Sequence, residues 1–404
     1  MKDVTVAMVG LGGYGNFYLS HVFADYEDQT FRLLAGIDPD PVGCRQLEQF
    51  ETYGIPIYPD LETFYGALKH VDLVIIAAPI HLHAPFTCTA LAHGSNVLCE
   101  KPVAPTVQDV ETMAEAEARS DGFVAIGYQW SYADAIQSLK QDVISGELGR
   151  PVRLVTKALW PRPLSYYGRN TWAGRLKADN GSWVLDSPAN NATAHYLHNC
   201  FYVLGDTIET SARPVDVEAE LYRANDIENY DTAAIRCHTE RDVEILFFTA
   251  HPVPERIGPT LRYEFEQAVV EFDAGDNRLM AVFEGERVKD YGDPDADEAN
   301  KLWQSIDATR TGGRPACGIE AAASHTLCIN GAQESPPEVL DLPEGSIRRM
   351  TEGVETLVWV EGLQETLNQC YEDAKMPSSY PSVAWARSGR RLDLRAYDRF
   401  PSFG

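Results

Sequence analysis

The chain of 404 residues carries 60 acidic and 34 basic side chains, a formal net charge of −26, with an isoelectric point near 4.7. A field of this sign opposes binding to phosphate backbones and to anionic membrane surfaces, so we expect neither a nucleic-acid nor a membrane partner. At this length, and with 44% hydrophobic residues, the chain can bury a large interior and is expected to form two domains.

The cysteine pattern and the lack of long apolar runs bear on the compartment. The N-terminus shows no signal-type segment, and no run approaches the roughly 18 apolar residues of a membrane span. The eight cysteines form no CxxC pair and no zinc-like Cys/His spacing. We therefore expect a cytoplasmic protein with reduced, mostly buried thiols and no metal site.

A glycine-rich stretch near the N-terminus is the first motif. An apolar run of strand length, 4–9, leads into Gly10-Leu11-Gly12-Gly13-Tyr14-Gly15, and an amphipathic stretch, 16–24, follows. In a dinucleotide-binding turn Gly10 permits the tight bend, Gly12 lets the backbone approach a diphosphate, and Gly15 lets the helix pack on its strand. An ordinary strand-to-helix turn is the alternative.

An acidic residue lies where such a unit needs one. Asp38 ends a second apolar run, 31–37, some twenty residues beyond the last glycine of the turn. A carboxylate there hydrogen-bonds the adenosine ribose hydroxyls and repels a 2′-phosphate, which predicts NAD rather than NADP. Asp38 also starts an Asp-Pro-Asp-Pro turn, which is compatible with the same role.

Strand-like and helix-like segments keep alternating up to residue 128. The pattern predicts helices over 41–50, 61–68, 84–93 and 106–118, and strands over 55–58, 71–78, 96–99 and 122–127. This alternation is typical of a doubly wound α/β sheet, with ligands at the carboxyl ends of its strands. His83, Lys101 and Tyr128 follow such ends, so we assign residues 1–128 to a dinucleotide-binding domain of the Rossmann type.

Residues 129–404 have a different pattern of predicted secondary structure, with consecutive strands and few helices between them. After a helix over 132–145, the pattern predicts strands over 152–159, 215–222, 232–238, 244–250, 261–272 and 279–284, and helices over 187–204, 299–308, 319–333 and 351–375. Consecutive strands favour an α+β domain with a large, mostly antiparallel open sheet. One face of that sheet is free to form a homo-oligomer interface.

Three motifs in this order and spacing resemble the Gfo/Idh/MocA family, the glucose-fructose oxidoreductase and inositol dehydrogenase group. They are the glycine turn at 10–15, Pro-Ile-His-Leu-His at 79–83 and Cys-Glu-Lys-Pro at 99–102. The resemblance implies hydride transfer between NAD and a carbon-bound hydroxyl of a sugar or cyclitol, with Lys101 beside the reacting hydroxyl. It also assigns Gly13, Tyr14, Ala78, Pro79, His83 and Glu100 to the cofactor site. The alternative for Lys101 is a structural ion pair with Glu100.

The second-domain motif departs from the family pattern. Gly-Ser-Trp-Val-Leu-Asp, ending at Asp186, resembles that motif, but the fourth residue after the aspartate is Asn190 where the family has an acid/base histidine. Counting backward from Leu204-Gly205 places the histidine at His195. Either His195 titrates in the site or Asn190 replaces it, and Asp186 is a candidate in both registers; a packing role is the alternative for His195.

An aromatic and arginine-rich segment, 160–175, precedes this motif. Aromatic rings that stack on sugars, with arginines that fork to hydroxyls or acids, suit a carbohydrate or an acidic sugar, and we assign Arg169, Trp172 and Tyr128 to the substrate. The sequence predicts an NAD-dependent dehydrogenase of a small carbohydrate. An NAD-dependent, redox-neutral glycoside hydrolase is the alternative, and a cofactor-holding sensor is a third reading.

Overall fold

The computed structural model describes residues 3–24, 26–28 and 30–402, and the chain divides into two compact units. The first unit runs to Ala104 and takes in Gln108–Tyr132 and Asp297–Ala322; the second comprises Pro105–Val107, Ala133–Ala296 and the chain from Ala323 onward. The segment 297–322, which the sequence had placed in the second domain, therefore belongs to the first unit. It does so because Leu302 and Ile306 are part of the first unit's apolar core.

Eighteen strands are assigned within the described residues. They are β1 (Val4–Val9), β2 (Phe31–Ile37), β3 (Ile57–Tyr58), β4 (Leu73–Ile76), β5 (Asn96–Cys99), β6 (Val124–Ile126), β7 (Pro151–Leu159), β8 (Pro214–Arg223), β9 (Thr232–Thr239), β10 (Glu244–Ala250), β11 (Ile257–Phe265), β12 (Ala268–Asp273), β13 (Leu279–Phe283), β14 (Val288–Gly292), β15 (Leu340–Asp341), β16 (Ile347–Glu352), β17 (Glu355–Val360) and β18 (Leu392–Asp393).

The same residues form eleven α-helices. They are α1 (Gly15–Phe23), α2 (Leu47–Thr52), α3 (Leu61–Ala67), α4 (His83–Ala92), α5 (Val107–Ala118), α6 (Asp134–Ser145), α7 (Leu164–Tyr167), α8 (Ala194–Val203), α9 (Asn300–Thr311), α10 (Ile319–Glu334) and α11 (Leu363–Asp373).

The first unit contains a six-stranded parallel sheet in the order β3-β2-β1-β4-β5-β6. Its central strands are buried on both faces, as their unbroken apolar runs predict. The strand order reverses between β1 and β4, so the carboxyl ends of these strands form the crevice in which doubly wound sheets bind ligands. The predicted Rossmann sheet is confirmed.

The second unit contains a large mixed sheet in the order β14-β13-β12-β11-β7-β10-β9-β8-β15, with β18 beside β8. All neighbours pair antiparallel except β7 with β10 and β8 with β15. The predicted open, mostly antiparallel sheet is confirmed. The single strand predicted over 261–272 is two strands, β11 and β12, which pair with each other on either side of a turn at 266–267.

Three predicted helices were wrong in extent, and one of them, predicted over 187–204, begins only at Ala194. The stretch 351–375 is a hairpin, β16 with β17, followed by α11. The β-branched and aromatic residues of 356–360 favour a strand, and Gly353 (φ +61°) and Gly362 (φ +80°) interrupt any helix there. The helix predicted over 41–50 begins only at Leu47, because Pro41–Gly43 forms a 3₁₀ turn.

Burial agrees with the expected state of the cysteines. All eight are free thiols, and seven of them are buried. A search of the described residues finds no helix that is both long and apolar enough to span a bilayer.

Candidate functional site

The glycine turn between β1 and α1 is closed by contacts that exclude side chains. Gly10 has φ +81°, and a Cβ there would lie 2.4 Å from the carbonyl oxygen of Ala77. A Cβ on Gly15 would lie 2.0 Å from the carbonyl oxygen of Gly10, so the start of α1 packs directly on the turn. Gly13 has φ +52° and its Cβ would meet no atom within 4 Å, so the turn opens to free space at that residue.

Three consecutive amides of this turn are available to a ligand. The amides on either side are used: Gly10 donates to Ile37 O at 2.9 Å, and Gly15 donates to Gly12 O at 2.8 Å. Within the described residues, the N–H groups of Gly12, Gly13 and Tyr14 donate to no protein acceptor. Free amides that precede a helix form an anion site, because the helix dipole adds to their partial charge. This cradle fits the diphosphate of a dinucleotide.

Asp38 is fixed against the same turn. Its Oδ2 accepts the Leu11 N–H at 2.8 Å, and its Oδ1 accepts the Asp40 N–H at 2.9 Å. Each carboxylate oxygen can accept a second hydrogen bond. The side chain therefore sits at the carboxyl end of β2 with accepting capacity left for hydroxyl groups.

Glu100, the residue after β5, lies in a buried ion pair that the sequence did not predict. Its Oε1 accepts hydrogen bonds from Lys301 Nζ and from the Tyr18 hydroxyl, both at 2.6 Å. Its Oε2 accepts the backbone N–H of Lys101 at 3.1 Å. The Lys301 ammonium is fully buried and also donates to the Tyr14 hydroxyl at 3.0 Å. Lys301 is thus a close ion partner of Glu100 that the sequence did not indicate, and the charge of the adjacent Lys101 also lowers the pKa of Glu100.

The charges of this pair depend on each other. Burial alone would raise the pKa of Glu100, but the Lys301 ammonium and the two hydrogen bonds outweigh it and bring that pKa below its usual value. Burial lowers the pKa of Lys301, and the Glu100 carboxylate works against that shift. The rings of Tyr14, Tyr18 and Phe17 surround the ammonium at 4.5 to 5.6 Å from their centroids.

A helical pattern could have pointed to Lys301. The buried residues of α9 include Leu302, Ser305 and Ile306, and Lys301 falls on the same face, one turn before Ser305. A charged residue on an apolar helix face needs a buried partner, which makes such a lysine informative. The partner itself could not be identified, because it lies 201 residues away in the chain.

The remaining predicted residues of the first unit are mostly buried. His83 begins α4, with Nδ1 2.7 Å from Pro102 O and Nε2 3.0 Å from Ala78 O, and burial lowers its pKa. Its ring thus ties the end of the β4 segment, where Pro79 lies, to the residues after Lys101. Tyr128 is fully buried. Lys101 itself is half-buried.

In the second unit Asp186, Asn190 and His195 have different local environments. Helix α8 begins at Ala194 rather than at 187, and the residues before it form a series of turns. His195 lies in the first turn of α8 and is its single residue that is not buried. Asn190 is 1% exposed, and its Nδ2 donates to the carbonyl of Leu185, which has φ +53°. Residues 187–193 thus form turns before the helix, and the Asn190 side chain is hydrogen-bonded to the residues that lead into them.

Asp186 organises the segment that precedes it. Its Oδ2 accepts the Gly174 N–H and its Oδ1 accepts the Asn191 side-chain amide, both at 2.7 Å. The Arg169 guanidinium lies 3.7 Å from Oδ2 and stacks on rings, 3.6 Å from the centroid of Tyr166 and 5.5 Å from that of Trp172. Arg169 and Trp172, both predicted substrate residues, are thus brought together beside Asp186.

Residues 4–128 match a family model described as an oxidoreductase family with an NAD-binding Rossmann fold, GFO_IDH_MocA. Among similar curated proteins, an inositol 2-dehydrogenase of Burkholderia lata is 30% identical over 152 residues, 37% of this chain and 44% of that protein. A 1-carboxy-3-chloro-3,4-dihydroxycyclohexa-1,5-diene dehydrogenase of Comamonas testosteroni is 28% identical over 183 residues, 45% of each chain. The chain thus spans less than half the length of these curated relatives.

Solved structures match over more of the chain. The WlbA dehydrogenase of Chromobacterium violaceum, in complex with NADH and UDP-GlcNAcA, is similar with a TM-score of 0.67 at 19% identity, over 82% of this chain and 94% of that one. An inositol dehydrogenase homologue of Azotobacter vinelandii complexed with NAD+ gives a TM-score of 0.67 at 20% identity, over 82% and 96%. These likenesses support the fold.

Residues 4–128, less than a third of the chain, thus match the model of the Gfo/Idh/MocA oxidoreductase family, and this part of the first unit has that family's NAD-binding Rossmann fold.

Proposed function

We propose that the protein is an NAD-dependent dehydrogenase that transfers a hydride between nicotinamide and a hydroxyl-bearing carbon of a sugar, sugar acid or cyclitol. The observation that carries the proposal is the run of three free amides at Gly12, Gly13 and Tyr14, within residues that match an NAD-binding oxidoreductase family model. The relatives named inositol 2-dehydrogenase and 1-carboxy-3-chloro-3,4-dihydroxycyclohexa-1,5-diene dehydrogenase support this class of reaction.

The cofactor roles follow the geometry of the first unit. We assign the three free amides to the diphosphate and the remaining acceptor capacity of Asp38 to the adenosine ribose hydroxyls. Ala78, Pro79, His83 and Glu100 are assigned to the nicotinamide end, because they follow β4 and β5 at the carboxyl edge of the sheet. Bound NAD would supply the hydride acceptor.

Lys101 is assigned to the proton transfer at the reacting hydroxyl. Its backbone N–H is anchored on Glu100, which Lys301 and Tyr18 hold in place, so the position from which its side chain extends is fixed. An ammonium can polarise a carbonyl oxygen or return a proton to an alkoxide. Such positioning is what general acid/base catalysis requires.

In the second unit we assign the acid/base role to His195 rather than to Asn190. His195 is the accessible residue of its helix, and an imidazole can exchange a proton near neutral pH. The Asn190 amide cannot, and its side chain is already bound to Leu185. Asp186, Arg169 and Trp172 are assigned to substrate positioning, and Tyr128 to the wall of the site.

The substitution Lys101→Ala tests the assignment. With a panel of aldoses, uronates and inositols, wild-type protein should form NADH from at least one compound, and Lys101→Ala should lose that turnover while NAD affinity, measured by calorimetry, stays within a few fold. Lys69→Ala, an exposed lysine of the same unit, is the control and should behave as wild type. Retained turnover in Lys101→Ala would remove this lysine from the mechanism.

The same purified protein tests the alternative functions. Nothing in the described residues favours the glycoside hydrolase. If the protein released the aglycone of a glycoside without net formation of NADH, the glycoside hydrolase would be the correct function and the dehydrogenase would be rejected. Tight NAD binding without turnover of any compound would favour the sensor.

We also propose a homo-oligomer formed through the sheet of the second unit. Val282 on β13 and Val288 on β14 are 40% and 55% exposed, and apolar side chains on a sheet favour association. Light scattering should give a mass above 44.9 kDa, and Val288→Asp should lower it; a monomeric wild type contradicts the proposal.

A further inference from the structure

Two guanidinium groups in the second unit stack on a single aromatic ring. The guanidinium carbons of Arg162 and Arg169 lie 4.9 Å and 3.6 Å from the centroid of the Tyr166 ring, and Arg162 lies 5.8 Å from that of Trp160. Aromatic faces attract cations and hold planar guanidinium groups in place. We call Arg162, Arg169 and Tyr166 the arginine cluster.

The charges of the cluster are not balanced. Arg169 has the carboxylate of Asp186 at 3.7 Å. Arg162 has no carboxylate within 4.0 Å among residues 3–24, 26–28 and 30–402. This is notable in a chain where 60 acidic residues outnumber 34 basic ones. One positive charge of the cluster therefore lacks a counter-ion.

A buried donor of Arg162 also lacks an acceptor. Within the described residues, its Nε is buried and makes no hydrogen bond, and the same is true of the Tyr167 hydroxyl. Buried polar groups in native proteins are nearly always satisfied, so an orphan donor on a cationic side chain points to an acceptor supplied by a ligand.

The neighbouring His251 is neutral, so it neither balances the charge of Arg162 nor adds a second positive charge. Burial, and secondly the charge of Arg162, lower the pKa of His251 to about 3, so its ring is neutral. Its Nδ1 lies 2.8 Å from the carbonyl oxygen of Trp160. His251 therefore does not balance the positive charge of Arg162, and a bound anion could do so.

We propose that Arg162 binds a carboxylate of the substrate, so that the substrate is a sugar acid rather than a neutral sugar. The guanidinium fork matches the two oxygens of a carboxylate. Arg169 already forms an ion pair with Asp186, so we assign the substrate carboxylate to Arg162. This inference rests on the proposed function.

The test compares hexuronates with the neutral hexoses of the same stereochemistry, which differ only at C6. Wild-type protein should use a hexuronate with a kcat/KM at least tenfold above that of its hexose. Arg162→Gln should lower the ratio of the two values by about 10- to 100-fold, as expected for a charge-assisted hydrogen bond. Arg162→Lys, which keeps the charge but not the fork, should fall between. Arg150→Gln removes an arginine whose side chain is 85% exposed and should leave the ratio unchanged.

The outcomes are separable from those of the proposed function. Equal use of hexuronate and hexose by wild type, or an unchanged ratio in Arg162→Gln, overturns the inference while NADH formation still supports a dehydrogenase. A hexose 6-phosphate used as well as the hexuronate overturns the assignment to a carboxylate. Calorimetric binding of a hexuronate that is lost in Arg162→Gln, without any NADH formation, supports the inference and overturns the dehydrogenase.

Discussion

The substitution Lys301→Met removes the counter-ion of a carboxylate that has almost no access to water. Glu100 is 6% exposed and accepts hydrogen bonds at 2.6 Å from Lys301 Nζ and from the Tyr18 hydroxyl. Methionine keeps an unbranched stem, so the change removes charge and hydrogen bonds rather than packing. Breaking a buried ion pair by removing one partner costs about 3–5 kcal/mol, and we expect a loss of that size in the free energy of unfolding at pH 7.

Protonation of Glu100 gives this loss a pH dependence. Neutralising a carboxyl of ordinary pKa costs roughly 3.7 kcal/mol at pH 7 and roughly 1.6 kcal/mol at pH 5.5. Without Lys301, burial raises the pKa of Glu100, so the folded variant binds a proton that the unfolded chain does not, and its stability rises as the pH falls. In wild type the pKa of Glu100 is lowered, and its contribution is lost only as the pH falls through that lowered value. The difference between the two proteins should therefore shrink by about 2 kcal/mol from pH 7 to 5.5.

Urea unfolding of wild type and Lys301→Met at both pH values measures this difference. The double variant Glu100→Gln/Lys301→Met leaves no buried charge and should be more stable than Lys301→Met alone. Lys69→Met, at an exposed position, is the control for the loss of a lysine. A destabilisation under about 1 kcal/mol, or one that is equal at pH 7 and 5.5, would refute the reasoning.

Three further substitutions test the cofactor and proton-transfer assignments. Asp38→Ala should weaken NAD binding, because the carboxylate also fixes the Leu11 amide, and should raise the use of NADP relative to NAD about tenfold or more; an unchanged preference rejects the ribose role. Gly15→Ala should destabilise the protein by about 1–3 kcal/mol and weaken NAD binding, because its Cβ meets Gly10 O at 2.0 Å. Gly66→Ala meets nothing within 4 Å and should be neutral or stabilising by up to about 1 kcal/mol; similar losses in both variants would contradict the packing argument. His195→Gln should remove one limb of the pH–rate profile, and an unaltered profile would return His195 to a packing role.

Local patterns were sufficient for much of the first unit. Buried parallel strands have unbroken apolar sequences. Part of the glycine turn is specified by its own residues, because a Cβ at Gly15 would collide with the carbonyl oxygen of Gly10 in the same turn. A helix was predicted in place of a strand where two local signals conflict. In the hairpin β16–β17 the turn glycine and the β-branched residues favour strands, but the helical pattern of α11 directly after them led to the prediction of one long helix.

The irregular segment before α8 shows a limit of counting residues. The spacing from Asp186 and the spacing back from Leu204-Gly205 gave two positions for one histidine, Asn190 and His195. The structure places Asn190 in a loop, held to Leu185, and His195 on the helix. A count along the chain assumes a regular helix, whereas backbone hydrogen bonds decide where a helix begins.

The sequence by itself determined the strand-turn-helix unit, the alternation of a doubly wound sheet and the carboxylate at Asp38, since each depends on residues near one another in the chain. The tertiary structure alone decided that Lys301 is the partner of Glu100 and that Arg162 stands beside Tyr166 without a counter-ion. Such pairings depend on which distant segments pack together away from water. An unpaired charge there costs free energy, so a buried charge needs a partner, and no local sequence pattern identifies that partner.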